Sequence, residues 1–452
     1  MTRNASSERS YAARLGALSW PIGIDLALLF TTFVTDSYFL SQLGDLPAGA
    51  VGALFPLFGL LAMILRQVAQ AGSVVSAHLD GEGNQEAVAL ARRTTFWNGV
   101  GLGLGAGAIL FATSAYVPRL LGLADEAALH ATMYMAVMAP GVAFLSLKHT
   151  FAALHLSGQN SRPQMKAALL AVIVNAALNA AALEFFQHRL PVAQLVALIA
   201  GATVVAYAVN ALVLWTLIPD RRALLQPPSG TGMLRRIWAK AVPTAIEPAA
   251  IQIQWLVISV LVASLGITAL ATRIYVLNIE MFVLTWSMSI AIAAQILTSY
   301  ETGAGNEAGA RAVVASANRI GAAGAALITL AMLTVSNLLI GVFTDDPAIL
   351  SAARWMLLIA IPTEAAKAVY NTTCWALVAR GDSRFPVLAS LALLYGLGVP
   401  LAYALAMPAG LGVVGIWLAL CIDETIRAAV MVLRWNAVTR LSSTVLDRPA
   451  GA

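Results

Sequence analysis

Apolar residues run through this chain in long stretches separated by short polar breaks. Runs long enough to cross about 30 Å of hydrocarbon fall near 16–40, 48–77, 95–118, 128–156, 167–186 and 192–218. A second set falls near 240–264, 270–298, 312–343, 350–378, 386–407 and 411–434. Strand-like alternation is absent. In lipid every backbone polar group must be bonded internally, so runs of this length predict helices rather than a β-barrel. The pattern predicts an all-α integral membrane protein with twelve transmembrane helices.

The breaks repeat as well as the runs. Pro21, Gly44, Gly81, Gly83 and Asn84 recur as Pro243, Gly266, Gly303, Gly305 and Asn306, all 222 residues later. Pro140 matches Pro362 at the same spacing, and Gly158 and Pro163 match Gly381 and Pro386 after a slip of one residue. Turn-forming residues held in one register indicate a tandem duplication of a six-helix unit. The expected organisation is a six-helix lobe over 1–220, a linker over 221–236 and a second six-helix lobe over 237–452. The lobes are expected to be related by pseudo-two-fold symmetry and to face each other about a cleft, the ground plan of alternating-access transporters. An even number of spans per lobe sends both copies in and out on one side of the bilayer.

Composition agrees: 60% of residues are apolar, 11% are charged, and the mean hydropathy is +0.80. A net charge of +5 would suggest nucleic acid in a soluble chain, but here position explains it. Most of the basic residues lie in segments expected on one side: Arg3, Arg9 and Arg14; Arg92 and Arg93; Arg162 and Lys166; Arg221, Arg222, Arg235, Arg236 and Lys240. The second half adds Arg311, Arg319, Arg380, Arg384, Arg434, Arg440 and Arg448. Loops on the other side carry Asp45, Asp125, Glu126, Asp345 and Asp346. The positive-inside rule then places both termini in the cytoplasm, with the chain integral to the plasma (inner) membrane and no nucleic-acid partner. Cys374 and Cys421 lie within spans without CxxC spacing and are expected to act as small packing residues. The small-residue runs Gly99–Gly107 and 321–326 are likewise expected to let helices pack closely.

Several chemistries are excluded. None of the four lysines, Lys148, Lys166, Lys240 and Lys367, follows the glycines of a phosphate-binding loop. No HExxH or GxSxG occurs. An enzyme acting on lipids or prenyl groups would need an acid-rich DDxxD pair, and Asp345-Asp346 in an outer loop falls short of it. The chain is therefore expected not to be an enzyme, to need no cofactor, and to draw on an ion gradient.

Ionisable side chains within spans are costly and mark candidate function. Asp36 stands among hydroxyls in the outer half of the first span. Asn175 and Asn179 are four apart and share a face of span five, where their amide oxygens could join a carboxylate in holding a small cation. Cleft candidates are Glu247, Glu280, Glu364, Lys367, Lys148 and Arg66. Glu364 and Lys367 have ion-pair spacing, and Arg427 lies within a turn of Asp423 and Glu424. Lys148 has no acid within a turn of its own helix. It either pairs with a carboxylate across the cleft, the preferred reading, or meets an anionic substrate. His149 and His155 are expected to be structural.

The twelve-span plan, Val34-Thr35-Asp36 followed by Leu43-Gly44, the Gly81-Glu82-Gly83-Asn84 turn and the turn from Gly158 to Pro163 together resemble multidrug and toxic compound extrusion (MATE) transporters. The resemblance implies export of amphipathic organic compounds by a monomer in exchange for H⁺ or Na⁺. It implies that Asp36, Asn175 and Asn179 form the cation site of the first lobe, a metal site if the ion is Na⁺. In the second lobe the pattern departs: Ile251 stands where many relatives carry a span-seven acid, and Glu247 lies one turn earlier. A related alternative is a flippase for lipid-linked saccharides, which would want several cleft arginines; only Arg66 and Arg273 are candidates.

Overall fold

The computed structural model describes Thr2–Leu123, Asp125–Gly341 and Asp346–Leu446. Asp345 and Arg448 lie outside the described residues. Twelve long helices follow in order: α1 Thr2–Ser41, α2 Phe55–Gly81, α3 Gln85–Thr113, α4 Asp125–Ser157, α5 Arg162–Phe186 and α6 Val192–Thr216, then α7 Gly232–Ser264, α8 Ile267–Gly303, α9 Glu307–Thr334, α10 Pro347–Arg380, α11 Arg384–Ala406 and α12 Gly412–Leu446. No strand occurs among the described residues. Eleven of these helices are long and apolar enough to cross a membrane. The remaining one, α12, has the length, but Asp423, Glu424 and Arg427 interrupt its apolar run.

Three predicted runs prove to be composite. The run at 48–77 divides into a short helix, Asp45–Gly52, and α2. The run at 95–118 ends as a helix at Thr113, before a separate turn of helix at Val117–Leu120. The run at 312–343 breaks at Val335 (φ −103, ψ 10), and Ser336–Gly341 forms a helix of its own. Hydropathy could not register that last break. Thr334 and Ser336 there donate to the carbonyls of Ala331 and Leu333 at 2.6 and 2.7 Å, the local bonding by which hydroxyls compete with a continuing helix. Within α11, Leu394–Gly398 is a π-helical turn.

The duplicated residues adopt duplicated geometry. Asn84 and Asn306 cap α3 and α9 with nearly equal torsions, their side chains accepting from Ala87 N at 3.1 Å and Gly309 N at 2.9 Å. Each follows a glycine in the left-handed region, Gly83 at φ 74 and Gly305 at φ 68, where a side chain would be strained. Pro140 and Pro362 both lie inside helices, α4 and α10.

The chain divides into two compact units. The N-terminal unit comprises Ile24–Leu79 and Asn84–Ala241; the C-terminal unit comprises Met1–Gly23, Asp80–Gly83 and Val242–Ala452. Polar ties explain why the start of α1 belongs with the second unit. Glu301 accepts from Arg14 at 3.0 Å, Tyr11 at 3.3 Å and Asn306 at 2.7 Å. Gly81 lies so close to α8 that a Cβ there would stand 2.0 Å from the Tyr300 carbonyl oxygen.

Each unit has its own apolar core. Leu54, Met135, Val142, Val196 and Ile199 form the centre of the first; Ile258, Val276, Met356, Leu357 and Ile416 form that of the second. The glycine-rich run of α3 packs as its composition implied. Added Cβ atoms would lie 2.1 Å from Thr150 at Gly99, 2.7 Å from Ser146 at Gly103 and 2.6 Å from the Ala139 carbonyl at Gly107. Close backbone approach is how membrane helices gain packing without a hydrophobic drive between them. In the other unit the ring of Trp286 occupies the space beside Gly324 and donates to the Gly321 carbonyl at 3.2 Å.

Candidate functional site

Three of the site residues read from sequence meet in the N-terminal unit. Asp36 on α1 is 4% exposed, and Asn175 and Asn179, on one face of α5, are fully buried. The Asn175 and Asn179 amides donate to Asp36 Oδ1 at 3.0 and 2.9 Å. A fourth residue, Thr203 of α6, completes the shell: its hydroxyl donates to Asp36 Oδ2 at 2.7 Å and accepts from Asn175 at 3.1 Å. The amides thus turn their NH₂ groups to the carboxylate, rather than presenting two oxygens as the spacing suggested. Asn175 Oδ1 accepts from Asn179 at 3.4 Å, and Asn179 Oδ1 is buried without a partner.

All three donors to Asp36 are neutral. A buried carboxylate without a positive neighbour in its shell is unstable as an anion by several kcal/mol in a low-dielectric setting, even when well hydrogen-bonded. Two events relieve it: uptake of a proton, or arrival of a small cation. The carboxylate, the Thr203 hydroxyl and the one unpartnered amide oxygen, that of Asn179, are hard oxygen ligands suited to a proton or an alkali cation. No group of three or more His, Cys, Asp or Glu side chains with metal-binding geometry occurs among the described residues.

Thr203 carried little signal in the sequence. A lone threonine in an apolar helix ordinarily bonds its own preceding turn, and Thr203 also lies 3.4 Å from the Ile199 carbonyl.

In the C-terminal unit, Glu247 of α7 is buried among hydroxyl and thiol donors. It accepts from Tyr370, from Cys374 at 3.3 Å and from Ser390 at 3.4 Å, while Tyr370 also bonds Ser390. Cys374 is therefore more than the packing residue expected of it. Glu364 and Lys367 form the ion pair their spacing allows. Glu280 instead accepts from the Trp417 indole at 2.8 Å. Arg427, buried on α12, joins Asp423 at 3.0 Å and Glu424 at 2.5 Å and lies over the Tyr370 ring. Of these five carboxylates, Glu364, Asp423 and Glu424 are paired with the cations Lys367 and Arg427, and Glu247 and Glu280 are held by neutral donors.

The basic residues of the N-terminal unit depart from expectation. Lys148 forms no ion pair among the described residues; its ammonium stands over the Tyr207 ring, 5.3 Å from the centroid. It lines a hollow together with Asp25. Arg66 likewise has no ion pair there, although Asp25 is its electrostatic neighbour. Within its own unit, then, Lys148 has no carboxylate as an ion-pair partner among the described residues. His155 is structural as expected, its Nε2 lying 3.0 Å from the Leu214 carbonyl. Arg273 lies over the Trp255 ring.

Comparison with known proteins places this architecture. The MatE family model matches residues 21–181 and 243–404, one match in each half of the duplication. The chain is 27% identical over 431 residues to the uncharacterized transporter YisQ of Bacillus subtilis, covering 94% of each chain. It is 26% identical over 460 residues to the multidrug resistance protein NorM of Burkholderia vietnamiensis, covering 97% of each. The crystal structure of the Vibrio cholerae MATE transporter VcmN in its bent form shares the fold, with a TM-score of 0.87 at 18% identity over 97% of this chain and 99% of that one. The chain belongs to the MatE family of integral membrane proteins, and it is a transporter rather than an enzyme.

Proposed function

We propose that the chain is a secondary active multidrug exporter that exchanges amphipathic organic compounds for a cation, H⁺ or Na⁺, taken up at Asp36. The observation that carries this reading is the Asp36 shell: a buried carboxylate held by three neutral donors, with a spare amide oxygen beside it. Such a group changes charge when an ion arrives or leaves, and that change is what an ion gradient acts on. Binding of the ion biases the conformational equilibrium one way and the organic compound biases it the other; linkage then couples their fluxes. The NorM relative, a multidrug resistance protein, supports the substrate class. Asp36, Asn175, Asn179 and Thr203 are the ion-binding residues in this account.

The test is transport in proteoliposomes. A fluorescent amphipathic cation should move against its gradient when an opposing H⁺ or Na⁺ gradient is imposed, and stop when that gradient is collapsed. Transport that persists unchanged after collapse would remove the antiport mechanism.

The same reading orients the protein in the plasma (inner) membrane with both termini in the cytoplasm. In intact cells, a tag at either end or in 221–236 should be protected from impermeant reagents, and Asp125→Cys or Asp346→Cys should be labelled. Labelling of the termini alone would reverse the orientation derived from the charge bias.

A further inference from the structure

The linker between the two halves of the duplication is folded onto the N-terminal unit. Leu224, at the end of the helical turn Arg221–Leu224, is 4% exposed and packs with Phe96, Phe151 and Leu214. The Trp97 indole donates to the Gln226 carbonyl at 3.2 Å. Farther on, Ile237 and Ala241 near the start of α7 are buried against Val75, Leu79 and Ala91, and the Trp238 indole donates to Asn98 Oδ1 at 3.3 Å. Both ends of the linker are thus fastened to the same stretch of α3.

That fastening concentrates positive charge. Arg222, Arg235 and Arg236 are exposed, and none forms an ion pair among the described residues. Arg93 lies in the stretch of α3 that the linker grips, and its Nε is buried without a hydrogen-bond partner among the described residues. The acids at this end of the unit, Glu86 and Asp220, are exposed and likewise form no ion pair among the described residues. Like charges that packing holds together repel one another, and an anion relieves them. Aromatic rings then argue for the kind of anion. Phe96 stacks on Phe151 and Trp215, with centroids 6.1 and 5.9 Å away, and meets Trp97 edge-on at 5.5 Å. Trp97 itself is 40% exposed. An exposed indole beside arginines at the end of a span is suited to the head-group level of a bilayer, and a small soluble anion would make no use of it.

We propose that this face of the N-terminal unit binds an anionic phospholipid of the cytoplasmic leaflet. Basic clusters just beyond a span are suited to such head groups. The phosphodiester meets the arginine guanidiniums, whose planar forks match two phosphate oxygens, and the glycerol and upper chains lie along Trp97. Bound there, the lipid neutralises the segment that joins the two halves of the chain. Only the choice of leaflet rests on the orientation given above, and binding by the purified protein does not depend on it.

Native mass spectrometry of the full-length protein, released from detergent with dioleoyl-phosphatidylglycerol or dioleoyl-phosphatidylcholine added, tests this. The wild type should bind the anionic lipid roughly tenfold or more tightly than the zwitterionic one. Arg222→Gln, Arg235→Gln and Arg236→Gln together should reduce that preference to about twofold or less. Their thermal midpoint in detergent without lipid should be unchanged, because all three side chains are exposed. Arg311→Gln with Arg384→Gln, exposed residues of the other unit without an ion pair among the described residues, should leave the preference intact. Arg93→Lys keeps the charge and loses the fork, so it should weaken phosphatidylglycerol binding several-fold. Equal binding of the two lipids by the wild type overturns the inference. So does an equal loss in the two multiple variants, or an Arg93→Lys protein that binds as the wild type does. Full displacement of the lipid by millimolar inorganic phosphate would mark a simple anion site and overturn it too.

Discussion

Replacing Asp36 by Asn is expected to reduce gradient-driven transport to the level of protein-free liposomes while the protein folds and purifies normally. The substitution keeps size and most hydrogen-bonding capacity, so Asn175, Asn179 and Thr203 retain a partner. What it removes is the change of charge, because an amide at this position neither takes up a proton nor carries the negative charge that offsets a bound cation. Asn175→Ala and Asn179→Ala each delete one donor and leave the carboxylate, so each should impair coupled transport by less. Thr203→Val should resemble them. Full retention of gradient dependence in Asp36→Asn would remove this residue from the mechanism.

The second large effect is expected at Arg427. Its guanidinium is shared by Asp423 and Glu424, and the side chains of the three are 2%, 0% and 12% exposed. Arg427→Met would leave two adjacent buried carboxylates without their cation. Breaking a buried ion pair from one side costs about 3–5 kcal/mol, enough to abolish the folded state of a marginally stable membrane protein. The measurement is the yield of monodisperse protein and its thermal midpoint in detergent. Adding Asp423→Asn and Glu424→Gln to Arg427→Met should restore much of the loss, because the uncompensated charges are then gone. A single Arg427→Met variant of unchanged stability would show that these acids do not depend on the guanidinium.

Much of the fold was legible because lipid leaves so few choices. Long apolar runs have to be helices, and the repeated Gly-Asn breaks are turns whose torsions Gly83 and Gly305 can adopt at no steric cost. Where a run concealed two helices, as around Val335, the break comes from hydroxyls bonding their own turn and leaves no trace in hydropathy. The Asp36 site was half legible. Asp36, Asn175 and Asn179 stand out as polar groups in apolar helices, whereas Thr203 is only mildly polar and gives no such contrast.

In the other unit a sharper reading was available. Glu364, Lys367, Tyr370 and Cys374 recur at three- and four-residue spacing, which lays a polar stripe along α10. Glu247 meets Tyr370 and Cys374 of that stripe. Asp25 and Glu247 occupy equivalent places in the duplication, yet one lines a hollow with no hydrogen bond among the described residues and the other is enclosed by donors. Single-residue equivalence in a repeat fixes the backbone position, and the neighbours that decide chemistry have since diverged.

The central claim is that one cation and one organic compound are thermodynamically linked through Asp36. The most direct measurement is release of ions from the purified protein, in weakly buffered solution or with a radioactive sodium tracer, as a saturating amphipathic substrate is added. The account predicts release of about one cation per substrate bound by the wild type, and none from Asp36→Asn, by the reciprocity of linked binding. Equal release from the two proteins, or substrate binding by the wild type with no release of either ion, would contradict it.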